Sequence, residues 1–523
     1  MTTTRRGFLT RVAAVGGYGA AFTALQALGL LPGRAEASTL PDLPPGYGQG
    51  RKVVILGAGI AGMVSAYELR KAGFACTILE ARDRPGGRNW SIRRGSKVEF
   101  TDGTVQDCDW EEGHYLNAGP ARIPSIHTNV LGYCEELGVP LEVEINTSRS
   151  SLVQSAALNG GRPVEQRQVL HDTRGYLAEL LAKAAQQHRL DDQMSPEDLQ
   201  RMMDFLRGYG DLDDGYAYKG TPRAGWADQP GAADHNGAMR KPLTRQELLV
   251  RDLSRGANYE EQINWQATMM QPVGGMDRIP YAFAKSLGDM IHYGAAIREV
   301  RKTAKGVKVV YAEGGKNQVI EGDYCICTLP LPVMARLKTD FSPAHRAAFS
   351  GMEMTTSYKV AWEAERFWEK ESHIYGGISF PNGQPVDLVW YPSDRLFSKT
   401  GIIIGGFGSE TMPGGAPTAF GALPGVAAKL AASRAAVETL HPGHGKDLTK
   451  PIYVSWKQIP YSLGCAAANH GPEAQPAYDQ LSKPDGRLLL AGDYISRQVA
   501  WQEGAVLSAH RAIGALVGHM RAA

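Results

Sequence analysis

Residues 52–88, KVVILGAGIAGMVSAYELRKAGFACTILEARDRPGGR, constrain the fold more than any other stretch. Val53, Val54, Ile55 and Leu56 form a short, wholly apolar run, the pattern of a parallel strand covered on both faces. Gly57, Gly59 and Gly62 follow at G-x-G-x-x-G spacing. The first glycine permits a tight turn, the second lets backbone approach a pyrophosphate, and the third lets the next helix pack on the strand. Residues 63–71 read as that helix, with Gly73 at its C-terminal stop. Its N-terminus, with Ile60 and Ala61 at the turn, offers unpaired N–H groups and a positive dipole end to phosphate. A second strand is expected at 76–79, closed by Glu80, 18 residues after Gly62. An acid there can accept hydrogen bonds from both hydroxyls of an adenosine ribose. The unit therefore binds a dinucleotide.

A second glycine turn sharpens the identity of that dinucleotide. Glu80, Ala81, Arg82, Pro85, Gly86, Gly87 and Arg88 give E-A-R-x-R-P-G-G-R, a turn with a guanidinium beside it. A nicotinamide cofactor has no need of this second turn, whereas FAD with its long ribityl chain does. On these residues the chain resembles the flavin amine oxidase family, which includes monoamine, polyamine and L-amino acid oxidases, and it resembles the last most. The resemblance recurs from about residue 51 to about residue 515. It implies an α/β fold: a discontinuous Rossmann-like FAD-binding domain, a mixed-sheet substrate domain and a helical insertion. The expected division places the FAD-binding domain at 51–118, 266–340 and 481–523. The substrate domain takes 119–150 and 341–480, and the helical domain 151–265.

Composition agrees. A chain of 523 residues is too long for one core. Its hydrophobic fraction of 43% and charged fraction of 21% are those of an ordinary globular protein. A formal net charge of +2 gives no reason to propose nucleic acid or an anionic membrane as partner. The six cysteines, Cys76, Cys108, Cys134, Cys325, Cys327 and Cys465, follow no metal-ligand spacing, so no metal is expected. The N-terminus carries an address. Arg5-Arg6-Gly7-Phe8-Leu9 is a twin-arginine pair, residues 12–31 are weakly hydrophobic, and Ala35-Glu36-Ala37 offers a small-x-small cleavage site. The glycines and alanines of that stretch make a poor membrane span. Residues 1–37 are therefore expected to be a twin-arginine signal peptide, with no stable membrane anchor and with the protein periplasmic or secreted. That route exports folded proteins, which suits a chain that takes up FAD before leaving the cytoplasm.

Further matches to the family place a site. Gly119-Pro120-Ala121-Arg122-Ile123-Pro124 resembles the G-P-x-R-[apolar]-P segment of L-amino acid oxidases, which passes the flavin ring and supplies an arginine for the substrate carboxylate. Arg122 is the expected anchor, because a planar guanidinium pairs both carboxylate oxygens and stays charged when desolvated. Residues 151–265 read as mostly helical, with Ser195 an N-cap and Pro196 at the first helical position. Residues 208–242 support no periodicity, and so long a loop is either a lid or channel entrance or a passive linker. Residues 272–280 match the family's second glycine hinge. Strands are expected at 297–300, 307–311 and 324–329, and the backbone of Val300 matches the position that meets adenine.

Lys359 matches a lysine that holds a water against the flavin N5, where an ammonium would stabilise negative charge on reduced oxygen. Val389-Trp390-Tyr391-Pro392 matches a segment whose tyrosine hydroxyl gives the carboxylate a second hydrogen bond; by position that is Tyr391, with a one-residue slip to Trp390 left open. Ala491-Gly492-Asp493 matches the third flavin contact, with Asp493 toward the ribityl chain or pyrophosphate. Trp501-Gln502-Glu503-Gly504-Ala505 opens a helix whose N–H groups point at the pyrimidine end of the ring, where negative charge accumulates. Trp501 is expected to wall the substrate pocket. The carbonyl of Ala500 is expected to meet the substrate amine, at a position where relatives often have glycine. Tyr461-Ser462-Leu463-Gly464-Cys465 resembles the stretch of monoamine oxidases in which a cysteine joins FAD covalently. The amino acid oxidases hold FAD without a bond, and that is the expectation here.

The resemblance thus implies FAD-dependent oxidative deamination of L-amino acids by O2 to 2-oxo acids, ammonia and hydrogen peroxide. A monoamine or polyamine oxidase and an amino acid 2-monooxygenase stay open as rivals within the family. A flavin-binding protein without turnover is a rival of another class. Family members are commonly dimers, so a homodimer is the expected assembly.

Overall fold

The computed structural model describes residues 40–249, 258–467 and 472–522; the leader expected at 1–37 lies outside the described residues. The fingerprint strand Lys52–Leu56 sits in the middle of a five-stranded sheet that is parallel throughout. In space the strands run Ile291–His292, Ala75–Leu79, Lys52–Leu56, Tyr324–Cys327, Leu488–Leu490. Numbered along the chain this is 3-2-1-4-5, the Rossmann order, and ligands bind where such an order reverses. The reversal falls between Lys52–Leu56 and Tyr324–Cys327. There Thr328 closes the seam, its N–H and its hydroxyl both donating to the Leu56 carbonyl at 2.9 and 2.8 Å.

The helix Ile60–Lys71 has ten of its twelve residues buried, so it must be covered on more than one face. The sheet lies under it, and the helices Arg278–Leu287 and Gln502–Ala522 pack along its flanks. Its third-glycine reading holds in atomic terms: a Cβ at Gly62 would stand 2.1 Å from the Gly57 carbonyl oxygen. The one acid on its buried face, Glu68, accepts from the Tyr133 hydroxyl at 2.9 Å and from Lys71 at 3.0 Å.

The other large layer is a seven-stranded sheet in the order Val164–Glu165, Leu152–Gln154, Gly377–Pro381, Leu388–Tyr391, Thr400–Ser409, Ser357–Glu365, Thr449–Ser455. Its apolar face carries the largest core cluster, with Trp362, Trp368 and Tyr391 fully buried. Two of its strands correct the expected domain boundary. Leu152–Gln154 and Val164–Glu165 belong to this sheet, so the helical insertion begins only at Gln166. Strands of two or three residues are too short to show a period of two, which is why the sequence reads as helix from residue 151. The strands at 297–300 and 307–311 exist as Ala296–Lys302 and Val307–Glu313, in a separate four-stranded sheet. A three-stranded sheet, Ile123–Pro124, Met269–Pro272, Leu141–Glu144, joins the layers.

The insertion itself is a pair of helices, Gln166–Gln186 and Pro196–Gly210, the second capped by Ser195 as its sequence requires. Residues 208–242 fold back on this pair: the Tyr218 hydroxyl donates to Asp172 at 2.5 Å, and Arg240 pairs with Glu165. Among the described residues all six cysteines are free, no group of three or more acids, histidines or cysteines could hold a metal, and no helix is long and apolar enough to cross a membrane.

Candidate active site

The crevice at the sheet reversal continues into a cavity of 490 Å³, within the roughly 300–1,000 Å³ typical of ligand sites. It runs from Gly57, Glu80 and Arg82 on the parallel sheet to Lys359, Trp390 and Phe407 on the seven-stranded one. Its first end is built mainly from backbone. Glu80 is buried, and its two oxygens accept from the Ala58 N–H at 2.8 Å and the Arg82 N–H at 2.9 Å, which fixes the carboxylate at the strand end. A Cβ on Gly59 would meet nothing within 4 Å, so open space lies in front of that turn. Arg82 is held sideways by the Pro460 carbonyl at 2.5 Å and the Ser462 hydroxyl at 2.8 Å.

In the middle of the cavity Arg88 forms an ion pair with Asp493 and donates to the Cys465 carbonyl. Three segments distant in sequence are pinned at this point. Asp493 also accepts from the Ala500 N–H at 3.0 Å, which holds Ala500 at φ +67°, in the left-handed region that favours glycine. Asn89 donates to Gln502 at 2.5 Å, while its own carbonyl oxygen is buried without a partner in the cavity wall. That orphan acceptor is one a ligand N–H or O–H would complete.

The far end holds two buried cations. Lys359 donates to the carbonyls of Asn117 at 2.5 Å and Gly119 at 2.8 Å, and burial, with Arg122 adding to it, pushes its pKa down to about 7. Arg122 donates to Asn146 at 2.5 Å and to the Tyr259 hydroxyl at 3.2 Å, with its guanidinium 4.6 Å from the Trp390 ring and 5.3 Å from Trp265. Trp501 lines the same end and meets the His127 ring edge-on at 5.0 Å; burial holds His127 below its ordinary pKa and keeps it neutral near pH 7.

A sequence model of the flavin containing amine oxidoreductases matches residues 60–516. The chain belongs to that family. Similar proteins include the L-amino-acid oxidase of Daboia russelii, 23% identical over 88% of this chain and 87% of its own length. The flavin-dependent L-tryptophan oxidase RebO of Lentzea aerocolonigenes is 25% identical over 89% and 98%. Among solved structures, putrescine oxidase bound to putrescine superposes with a TM-score of 0.59 at 18% identity, covering 90% of this chain and 99% of that one. That likeness speaks for the fold alone. A flavin amine oxidoreductase needs a flavin, and the fixed acid Glu80, the open space at Gly59 and the orphan acceptor on Asn89 fit one.

The family's expected contacts mostly converge. Gly57, Gly59, Ile60, Ala61, Glu80, Ala81, Arg82, Gly87, Arg88, residues 119–122, Lys359, Asp493, Ala500, Trp501, Gln502 and Ala505 all line the cavity. Five do not. Tyr391 is fully buried on the opposite face of its strand, its hydroxyl 2.7 Å from His441 and donating to Ser379 at 3.0 Å. Alternation along a strand sends neighbours to opposite faces, so Trp390 and not Tyr391 faces the cavity; the tyrosine hydroxyl beside Arg122 is that of Tyr259. Val300 is packed in a core, opposite Val309 with its carbonyl taken by the Asp340 N–H, and Ile297 lines the cavity instead. Gly62 serves helix packing. Glu503 accepts from the Asn129 and Val130 N–H groups, capping the helix Thr128–Glu136. Gly504 sits where a Cβ would strike the Gln498 carbonyl at 2.1 Å.

Some wall residues carry no motif. Phe407 reaches the cavity only because it pairs with Lys359 across the sheet. Gln262, Asn264 and Trp265 line it from the short segment after the insertion, whereas no residue of 208–242 does. Among the described residues of 151–265, Gln262, Asn264 and Trp265 alone line the cavity.

Arg88→Met tests the central pin. It leaves the Asp493 carboxylate, almost fully buried, without its cation, and breaking such a pair costs about 3–5 kcal/mol. Chemical denaturation should show a loss near the low end of that range, because Arg88 keeps some solvent contact, together with loss of bound flavin; unchanged stability would refute the assigned role.

Proposed function

We propose that the protein is an L-amino acid oxidase that uses FAD and O2 to convert L-amino acids into 2-oxo acids, ammonia and hydrogen peroxide. The observation that carries this reading is Arg122: a buried guanidinium in the cavity wall, bonded only to neutral partners. Among the described residues no carboxylate pairs with it. A simple amine leaves that charge unanswered, and an amino acid answers it with two oxygens in one plane. The L-amino acid oxidases and the tryptophan oxidase among its relatives support the same choice.

FAD would be held by Glu80 at the ribose, by Gly57, Gly59 and the start of the helix Ile60–Lys71 at the pyrophosphate, and by 119–121, Trp501 and Gln502 at the ring. Bound there, it supplies the two-electron chemistry between the substrate Cα–H and O2. The chain supplies geometry and field. Arg122 grips the carboxylate, Trp390 and Trp501 exclude water, and the Ala500 carbonyl accepts from the neutral amine, so the Cα–H is presented in one orientation. Lys359 holds a proton on Nζ below about pH 7 and places that cation where oxygen acquires negative charge. Water then hydrolyses the released imino acid. Cys465 lines the cavity, but burial pushes its thiol pKa up. The thiolate is the nucleophile, so non-covalent FAD is the reading it supports.

Three measurements follow. Arg122→Met should raise KM for L-phenylalanine about 100-fold, roughly 2.7 kcal/mol, with flavin content unchanged. Wild-type protein that oxidises phenethylamine as well as L-phenylalanine in a peroxide assay would overturn the carboxylate role. For Lys359 the protonated form is the useful one, so kcat/KM for oxygen should be level below pH 7 and fall by up to tenfold per unit above it; in Lys359→Met it should be low and flat. Acid precipitation should leave the yellow colour in the supernatant, and colour retained in the pellet would reveal a bond to the chain.

A further inference from the structure

Glu144 is the last residue of the strand that ends beside the carboxylate anchor. In the three-stranded sheet it stands opposite Met269, and Met269 stands opposite Pro124. Directly opposed residues share a face. Arg122 immediately precedes the strand Ile123–Pro124 and Asn146 follows the strand Leu141–Glu144 by two residues, and Arg122 donates to Asn146 at 2.5 Å, which brings the guanidinium to the end of the strand that carries Glu144. Glu144 is 4% exposed, and neither of its carboxylate oxygens has a hydrogen-bond partner. The Trp390 indole N–H lies close enough to favour the ionised form, yet it too completes no bond. Among the described residues Arg122 is the one charged group that acts on Glu144; the uncharged Met269 stands opposite it on the neighbouring strand and Trp390 approaches it from the seven-stranded sheet.

We propose that Glu144 is a positioning residue for substrate capture: it carries a proton whenever Arg122 holds a carboxylate, and its ionised form opposes the incoming acid group. This rests on the reading of Arg122 as the carboxylate anchor. The physical reason is that one guanidinium cannot neutralise two buried carboxylates. Burial already pushes Glu144 up to about 7, with Arg122 pulling the other way. A bound carboxylate consumes that pull and adds a like charge, so the group takes up a proton from solvent when the site fills above neutral pH. The proton comes from water or buffer and goes to a Glu144 carboxylate oxygen; no other bond changes. Glu144 thereby sets a ceiling on the pH at which acids bind, without touching the substrate.

The test is calorimetric titration of the holoprotein with benzoate at pH 8, in two buffers of different ionisation enthalpy, with benzamide as the uncharged control. Wild-type protein should take up approximately one proton per benzoate, and benzoate affinity should fall by up to tenfold per pH unit above 7. Lys359 titrates in the same window, so variants separate the two. Glu144→Gln should lose most of the proton uptake and bind benzoate about tenfold more tightly at pH 8, whereas Lys359→Met should keep the uptake. Uptake that survives in Glu144→Gln, or vanishes in Lys359→Met, assigns the proton to the lysine and overturns the proposal. Should Glu144→Gln fail to retain flavin, the Lys359→Met arm decides alone. Benzoate binding no better than benzamide would sink the Arg122 reading itself, and the Glu144 role with it. Benzoate preferred over benzamide but without proton uptake would sink the Glu144 role only.

Discussion

Everything at the glycine-turn end of the cavity rests on one backbone contact. The carbonyl oxygen of Gly57 and the Cα of Gly62 approach so closely that a Cβ at position 62 would stand 2.1 Å from that oxygen. This sets the helix Ile60–Lys71 hard against the strand Lys52–Leu56, with its free N–H groups over the crevice. The same turn presents the Ala58 N–H that fixes Glu80 at 2.8 Å. The open helix N-terminus and the fixed acid are thus two consequences of one tight turn. The strand order 3-2-1-4-5 then opens the sheet at that place and lets the segments around 328 and 493 reach it.

At the other end the constraint is electrostatic. Lys359 and Arg122 are both buried, and their partners, two carbonyls for the lysine and an amide and a phenol for the arginine, supply hydrogen bonds without neutralising charge. Burying a charge without an ion-pair partner is expensive, and the two cations stand close enough for Arg122 to help push Lys359 down to about 7. Neither can swing into solvent. Lys359 is clamped between Phe407 and Val454 on adjacent strands, and Arg122 leads into a short paired strand. The site is held in an incomplete state by the cores around it, as functional sites commonly are.

Much of this was legible in the sequence where the chemistry is local. Glycine spacing, a strand-end acid and a proline after a serine each act within a few residues, and the turn at 57–62, Glu80 and the Ser195 cap all stand where they were read. The misreadings are failures of parity or of partnership. Tyr391 and Trp390 differ by one residue, and only the pairing of Leu388–Tyr391 with its neighbours says which of them faces the cavity. Val300 and Ile297 are separated by a register irregularity between Ile297 and Glu299, which a motif match does not carry. Glu503 sits in the right segment but spends its carboxylate on a helix more than 370 residues away in sequence. Glu144 and Asn146 reach Arg122 from the end of a three-stranded sheet whose members are two to four residues long, and Tyr259 from a single helical turn, all too short for any pattern to announce.

The parity that excludes Tyr391 also explains what Trp390 does in its place. An aromatic ring offers a negative face and a positive edge. Trp390 turns its face to two cations, Arg122 at 4.6 Å and Lys359 at 5.4 Å, each contact worth about 0.5–2 kcal/mol in a desolvated setting. Its indole N–H lies on the side of Glu144, where it favours the ionised acid. One neutral side chain therefore stands beside Arg122, Lys359 and Glu144 and moderates each of them without pairing with any. A tyrosine in this register would offer an acceptor as well as a donor, and its hydroxyl could take a further guanidinium N–H. The indole donates and cannot accept, so it takes none of the guanidinium N–H groups.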